Sequence, residues 1–179
     1  MAVEQFNLAA GQRAERKMLI TVIEWTEVVG TTETQEREIL GTRTEDSSIE
    51  YNAEVNTTTD VRGINYTDVE RTQPQQPFNP FLVLGGSKFG ALLNDIRRRN
   101  ALSELNQFTV YVITAFVGSS TDGYQAEKQT GCTVVYDSFG GDSNVNFPIP
   151  LYYSNNTVLG TVDKLSDDFT FTQDVAVGN

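Results

Sequence analysis

The segment Gln107-Phe-Thr-Val-Tyr-Val-Ile-Thr-Ala-Phe-Val117 gives the strongest strand signal in the chain. β-Branched and aromatic residues, which fit the pleated surface of a sheet, fill most of its positions. Apolar side chains fall on both of its alternating faces, which is typical of a strand covered on both sides. The segment therefore predicts a fully buried strand in a sheet-based fold.

Weaker strand signals flank this segment. Met18–Trp25 is again rich in β-branched and aromatic residues, whereas Arg37–Arg43 is a poorer candidate. Val61–Val69 follows a turn at Asn56–Asp60, and Gly63 within it suggests a bulge. Towards the C-terminus we expect further strands at about 126–136, 145–153 and 168–172.

Ser48–Val55 alternates between apolar and polar residues. One face carries Ile49, Tyr51, Ala53 and Val55, and the other carries Glu50, Asn52 and Glu54. This period of two predicts a half-buried strand with a polar outer face.

Two segments depart from the strand pattern. Gln73–Pro80 holds three of the five prolines, which fix φ and remove backbone donors, so we expect an extended connector there. A helix is predicted after Gly85-Gly86, capped by Ser87. Its apolar face has the spacing i, i+3, i+4 and i+7, at Phe89, Leu92, Leu93 and Ile96. Its C-terminal end carries three arginines that suit the helix dipole, Arg97, Arg98 and Arg99.

Together these signals predict a mainly β domain, a β-barrel or sandwich of two sheets with one flanking α-helix. Residues 1–17 are polar and lack alternation, so we interpret them as an N-terminal arm on a single β-rich domain of residues 18–179. Gly30-Thr-Thr-Glu-Thr-Gln-Glu36 is polar and turn-like, which predicts a long hairpin tip or a loop.

The formal net charge of −11 argues against binding nucleic acid through its phosphates. Residues 81–106 reverse the sign of the surrounding chain, because Lys88 and the three arginines outnumber the acids there. A positive island in a negative chain favours self-association, although it also describes one solvated helix end. We favour salt bridges of the arginines, within the domain or to a neighbouring subunit, over contacts with phosphate.

The composition offers little for catalysis. The chain has no histidine, so a Ser-His-Asp triad or a Cys-His pair within one subunit is impossible. Cys132 lies in an alternating segment, where we expect a small packed residue. Paired carboxylates can run glycoside hydrolysis, but solvated strand faces account for most of the acids. We therefore expect no enzyme, metal or cofactor. The sequence also lacks an apolar run long enough for a spanning helix or a signal peptide, which predicts a cytoplasmic site of synthesis.

Several stretches resemble the major tail proteins of tailed bacteriophages. They are Glu45-Asp-Ser-Ser-Ile-Glu-Tyr-Asn52, Asp60-Val-Arg-Gly-Ile-Asn-Tyr-Thr-Asp68, Gln73-Pro-Gln-Gln-Pro-Phe-Asn-Pro-Phe81, Gly85-Gly-Ser-Lys-Phe-Gly90 through the helix to Phe108, and Gly160-Thr-Val-Asp-Lys-Leu165. The likeness covers residues from about 40 to 172 and rests on overall pattern.

The resemblance implies a tail-tube-like fold and a virion tail protein assembled in the host bacterial cytoplasm. Six subunits would close a ring, and stacked rings would form a hollow tube through which DNA passes without specific binding. Partners would be further copies of the chain, a tape measure protein, and tail terminator and baseplate proteins. A tube subunit of a phage-like contractile injection system, a capsid decoration or receptor-binding module, and an uncharacterised hydrolase stay open as alternatives.

Three assignments follow from this resemblance. An inter-ring loop is expected at Gly30, Thr31, Thr32, Glu33, Thr34, Gln35 and Glu36. The three arginines are expected at a subunit boundary. Glu50, Asn52 and Glu54 are candidates for the lumen wall, because like charge would keep a polyanion from sticking; the alternative is that this face meets outside solvent.

Overall fold

The computed structural model describes residues 6–44 and 47–174. The described residues form ten strands, one α-helix and two short 3-10 helices, Arg16–Met18 and Leu102–Asn106. The longer elements are β1 (Leu19–Val29), β2 (Thr32–Ile39), β3 (Glu54–Thr59), β4 (Asn65–Arg71), β5 (Gln75–Phe78), α1 (Lys88–Arg99), β6 (Phe108–Ser119), β7 (Gly123–Val134), β8 (Ile149–Tyr152), β9 (Thr157–Val162) and β10 (Phe171–Gln173). The predicted mainly β class with a flanking helix is confirmed.

Eight of these strands form one antiparallel sheet. Its main path runs β10-β9-β7-β6-β1-β2, and the end of β7 also pairs with β8, which pairs with β5. The strands β3 and β4 pair only with each other and form a separate two-stranded sheet.

Strand β6 lies in the middle of the main sheet, between β1 and β7. Its side chains alternate between two apolar clusters, one on each face of the sheet. Phe108, Val110 and Val112 belong to the larger cluster, whereas Tyr111 and Ile113 belong to the smaller. The prediction of burial on both faces is confirmed.

Helix α1 covers the larger cluster. The Ser87 hydroxyl accepts a hydrogen bond from Gly90 N at 2.9 Å, which confirms the predicted cap. Phe89, Leu93 and Ile96 are fully buried, and Leu92 is partly buried. Each such side chain contributes about 1.5–3 kcal/mol of burial free energy. The predicted apolar face of the helix therefore anchors it to the sheet.

The predicted half-buried strand at Ser48–Val55 is wrong. Only Glu50 makes an isolated bridge, to Gln75, before β3 begins at Glu54. Asn52 has a φ of 45°, in the left-handed region that interrupts an extended strand. Ile49 packs against the larger cluster, but Tyr51 and Val55 on the same side of the pattern are exposed, so the core covers only the first apolar residue of the segment.

Neighbouring assignments shift as a consequence. Asn56 to Thr59 continue β3 instead of turning, and Gly63, with a φ of 79°, belongs to the turn and not to a bulge. Gln75–Phe78 is a strand within the predicted connector. Pro77 is tolerated there because its backbone nitrogen, which has no hydrogen to donate, faces away from β8. Gln75 exchanges backbone hydrogen bonds with Glu50, and the nitrogen of residue 77 faces the same edge of the strand as that of residue 75.

Of the predicted N-terminal arm, residues 1–5 lie outside the described residues. Phe6 forms a bridge with Val117, and Asn7 donates through its backbone N to the carbonyl of Phe116. This end of the described chain therefore runs beside β6. Cys132 is fully buried, as expected for a small packed residue, and burial raises the pKa of its thiol.

Candidate assembly surface

The hairpin of β3 and β4 stands apart from both apolar clusters. All six residues of β3 are exposed, and β3 and β4 pair with no third strand of the described chain. An isolated two-stranded hairpin is at best marginally stable in water. Its local bonds and any partner it meets therefore decide how well it is ordered.

The hairpin's turn is organised by Asp60. Its carboxylate accepts hydrogen bonds from the backbone N of Arg62 at 2.8 Å and of Ile64 at 3.0 Å. These bonds stabilise the charged form, and the bond from Ile64 is the main cause that lowers the pKa of Asp60. Arg62 makes only a long ion pair with Asp60, 3.5 Å, and its side chain stays 73% exposed. The tip therefore presents a cation to solvent.

One face of the hairpin carries β-branched side chains in register. Val55 lies opposite Val69, and Thr57 lies opposite Thr67, with their hydroxyls 3.1 Å apart. The two valines are 55% and 63% exposed. A paired apolar patch on a free hairpin is a surface that gains free energy by being covered.

The hairpin's base is tied to the body of the domain. Asn52 Nδ2 donates to the carbonyl of Gln73 at 3.1 Å, and Asn155 Nδ2 donates to the carbonyl of Thr72 at 2.9 Å. The backbone N of Gln73 also bonds to the carbonyl of Tyr51. The body thus fixes where the hairpin leaves it.

A cavity of about 390 Å³ opens beside this base. Its wall comes partly from the larger-cluster side of the main sheet, with Leu19, Val112 and Glu127, and partly from the residues flanking the hairpin. Arg16 also lines it, but its guanidinium donates to the carbonyls of Leu19 and Ser47, each at 2.6 Å. The cavity therefore has both apolar and polar side chains in its wall, and Glu127 is the one carboxylate among them.

Glu127 is half-buried, and burial raises the pKa of its carboxyl. Within residues 6–44 and 47–174 the Glu127 carboxylate has no hydrogen bond or ion pair. A carboxylate held partly out of water without a counterion favours binding of a cation.

The predicted inter-ring segment Gly30, Thr31, Thr32, Glu33, Thr34, Gln35 and Glu36 is not a loose loop. Gly30 and Thr31 form the tight turn of a hairpin, and the remaining five residues lie in β2, in register with β1. The hairpin-tip alternative is correct, and mobility is not expected of paired strands. Their inter-ring role stays a prediction.

Strand β2, the second strand of the β1–β2 hairpin, makes side-chain contacts with both β1 and the start of α1. Arg37 Nε donates to Glu24 Oε2 at 2.5 Å, and Lys88 pairs with Glu36 at 2.5 Å. Glu38 accepts from the Ser87 hydroxyl and from Phe89 N, so it also satisfies the start of α1. As the last strand on its side of the main sheet, β2 offers an edge for strand pairing.

The three arginines differ in what they contact. Arg99 bonds to Asp95 and, through two nitrogens, to Glu104 at 2.8 Å. The Arg97 guanidinium lies 4.2 Å from the centre of the Phe139 ring. Arg98 is exposed and has no ion pair within the described part of the chain. Their place at a subunit boundary stays a prediction, and Arg98 is the member left available for it.

The lumen candidates Glu50, Asn52 and Glu54 do not share a strand face. Glu50 accepts from Gln75 Nε2 at 3.0 Å, Asn52 holds the hairpin base, and Glu54 begins β3. All three are exposed. The core-facing strand on which their placement depended is absent, and the lumen role itself stays a prediction.

Sequence reasoning missed the two features that stand out here, the free hairpin and Glu127. An Asp-Val-Arg-Gly turn between threonine-rich strands was a usable signal for the hairpin. Nothing in the sequence distinguishes Glu127 from other acids. No group of three or more metal-binding side chains occurs among the described residues. The helix in that part of the chain is too short and too polar to cross a membrane.

Comparisons with known proteins gave one similar structure to report. A scan against protein-family models found no match, and neither did a search of curated proteins. A chain in the cryo-EM structure of the anti-feeding prophage baseplate, 6-fold symmetrised, aligns with 88% of this chain and 100% of its own length. The aligned residues are 11% identical and the TM-score is 0.47. Similarity at this level does not establish a common fold.

Proposed function

We propose that this chain is a structural, non-catalytic component of a phage tail or phage-like particle, and within it the tube subunit, which assembles as hexameric rings stacked into a hollow conduit. The observation that carries the proposal is the free hairpin of β3 and β4. A projecting two-stranded sheet with paired exposed valines gains stability when a neighbouring copy covers it.

Other features support the same proposal. The sequence stretches that resemble major tail proteins include the hairpin's tip, β5 and the helix. The main sheet ends in β2 on one side and the three-residue β10 on the other, and pairing between copies would protect such edges. Contacts between two different surfaces repeat from copy to copy and produce rings or open filaments. The net charge of −11 suits a conduit that DNA passes without sticking.

Electron microscopy of the purified full chain tests the proposal, with a hairpin-deleted variant as the matched control. Glu54 and Arg71 are cross-strand partners, so a two-residue Asn-Gly turn between them can replace residues 55–70. We expect rings or tubes from the wild type. The deletion variant should keep its circular dichroism spectrum but form no tubes.

Dispersed wild-type monomers under all assembly conditions would refute the tube proposal and favour a soluble binding module. Tubes of normal length from the deletion variant would show that the hairpin is not the assembly element.

A further inference from the structure

The hairpin's tip and the cavity at its base complement each other. The tip exposes Arg62 between two apolar neighbours, Val61, which is fully exposed, and Ile64. The cavity wall contains Glu127 together with the apolar side chains of Leu19 and Val112. The tip therefore offers a cation and aliphatic side chains, and the cavity offers a carboxylate and aliphatic side chains.

Within residues 6–44 and 47–174, neither charge has a strong partner. Glu127 has none within the described residues, and burial raises the pKa of its carboxyl. Arg62 has only the 3.5 Å contact with Asp60, whose carboxylate is already held by two backbone N–H groups. Pairing the two would stabilise the ionised carboxylate without breaking the turn.

The tip and the cavity of one subunit cannot serve each other. They lie at opposite ends of the hairpin, and a six-residue strand such as β3 spans about 20 Å. A contact between a tip and a cavity must therefore join two copies. Each copy would insert its tip into one neighbour and receive the tip of another, so such a contact is heterologous and builds a ring or an open filament.

We propose that the β3–β4 tip of one copy occupies the cavity at the hairpin base of the next, with Arg62 paired to Glu127 and Val61 against Leu19 and Val112. This inference rests on the proposed self-assembly and names its docking site. The occupant of the cavity is a second copy of this chain, recognised by a guanidinium beside an aliphatic side chain.

Disulfide trapping between two separately purified variants tests the contact. Val61→Cys places a thiol at the tip, and Thr157→Cys places one on the cavity wall. The native Cys132 is fully buried and should not react. Mixing the two variants under assembly conditions and oxidising them should give a covalent dimer. Mixing Val61→Cys with Leu102→Cys, an exposed site at the start of the second 3-10 helix, should give none.

Charge exchange provides the second test. Arg62→Glu and Glu127→Arg should each reduce the tube fraction in a sedimentation assay about tenfold or more, as expected when one partner of a desolvated charge pair is removed. The double variant should regain most of the assembly. Asp142→Lys, a charge change at an exposed bend, is the control and should assemble like wild type.

The outcomes separate this inference from the proposed function. If the wild type forms tubes but positions 61 and 157 do not cross-link and the double variant does not recover, the docking site is wrong and the tube function stands. If the wild type forms no tubes at all, the proposed function fails and the docking site with it.

Discussion

Two hairpins of the molecule, β1–β2 and β3–β4, both contain polar segments but have opposite structural roles. In the first, β1 and β2, one strand reaches into the core through Trp25 and the other is held by Glu24 and Lys88. In the second, β3 and β4, the Thr57 and Thr67 hydroxyls bond to each other within the hairpin and its valines are exposed. Polarity alone therefore does not tell which hairpin is free; attachment to the body does.

This difference has a consequence for where mutations act. Substitutions in the first hairpin should act on folding, since its side chains are shared with the core and with α1. Substitutions in the second should leave folding nearly unchanged and act on assembly. Matched substitutions at corresponding positions of the two hairpins test this division directly.

The largest effect on the free energy of unfolding is expected at Trp25. Its ring is 6% exposed and lies 5.6 Å from the ring of Phe89 on α1. Trp25→Ala should lower the free energy of unfolding by about 3–5 kcal/mol, measured by urea denaturation. The matched change Val55→Ala in the second hairpin should alter it by no more than about 0.5 kcal/mol. Equal losses would show that the second hairpin is part of the cooperative core.

A smaller effect is expected at Arg37. Its guanidinium pairs with Glu24, donates to the carbonyl of Phe169 and lies 4.5 Å from the Phe169 ring centre. Arg37→Ala leaves the mostly buried Glu24 carboxylate without its cation and should cost about 1–3 kcal/mol in the same assay.

The matched change for Arg37 is Arg62→Ala at the other hairpin's tip. Because that side chain is exposed, the change should cost no more than about 0.5 kcal/mol of folding free energy while reducing tube yield. A loss of stability at Arg62 equal to that at Arg37 would remove the distinction between the hairpins.

The elements that the sequence predicted well are those whose pattern matches their burial. β6 is apolar on both faces and is buried on both, and α1 has its cap and apolar face where the spacing placed them. The failures have a physical cause. Ser48–Val55 alternates like a half-buried strand, but the core covers only Ile49 of its apolar side and Asn52 turns the backbone. β9 at Thr157–Val162 was missed because its pairing with β7 and β10 is a long-range choice.

The candidate surface was less predictable than the fold. The sequence indicated a polar hairpin but placed the assembly role on Gly30–Glu36, because composition does not show which of two hairpins joins the main sheet. The sequence places the three arginines next to one another in the chain. Their contacts nevertheless differ, because consecutive side chains point in different directions around the helix. Glu127 gave no signal, since half-burial beside a cavity depends on segments far apart in the chain.

The smallest expected effect on folding stability is at Glu127, which lies on the main sheet in the wall of the proposed docking cavity. Burial raises the pKa of its carboxyl, so the folded subunit holds this proton more tightly than the unfolded chain does. Folding stability should therefore fall as pH rises from the ordinary pKa of glutamate through the raised one. Below that window the group is protonated in both states and contributes nothing.

Glu127→Gln removes the loss of folding stability that comes from ionising the half-buried Glu127 carboxyl. The variant's thermal midpoint, measured on unassembled subunits, should exceed that of the wild type at neutral pH and match it once the pH is low enough to protonate Glu127 in both states. The same variant should assemble less well at neutral pH, because a neutral amide attracts the Arg62 guanidinium less than a carboxylate does. A variant that is both less stable and equally competent in assembly would contradict this assignment, since Glu127 would then be serving the fold and not the contact between copies.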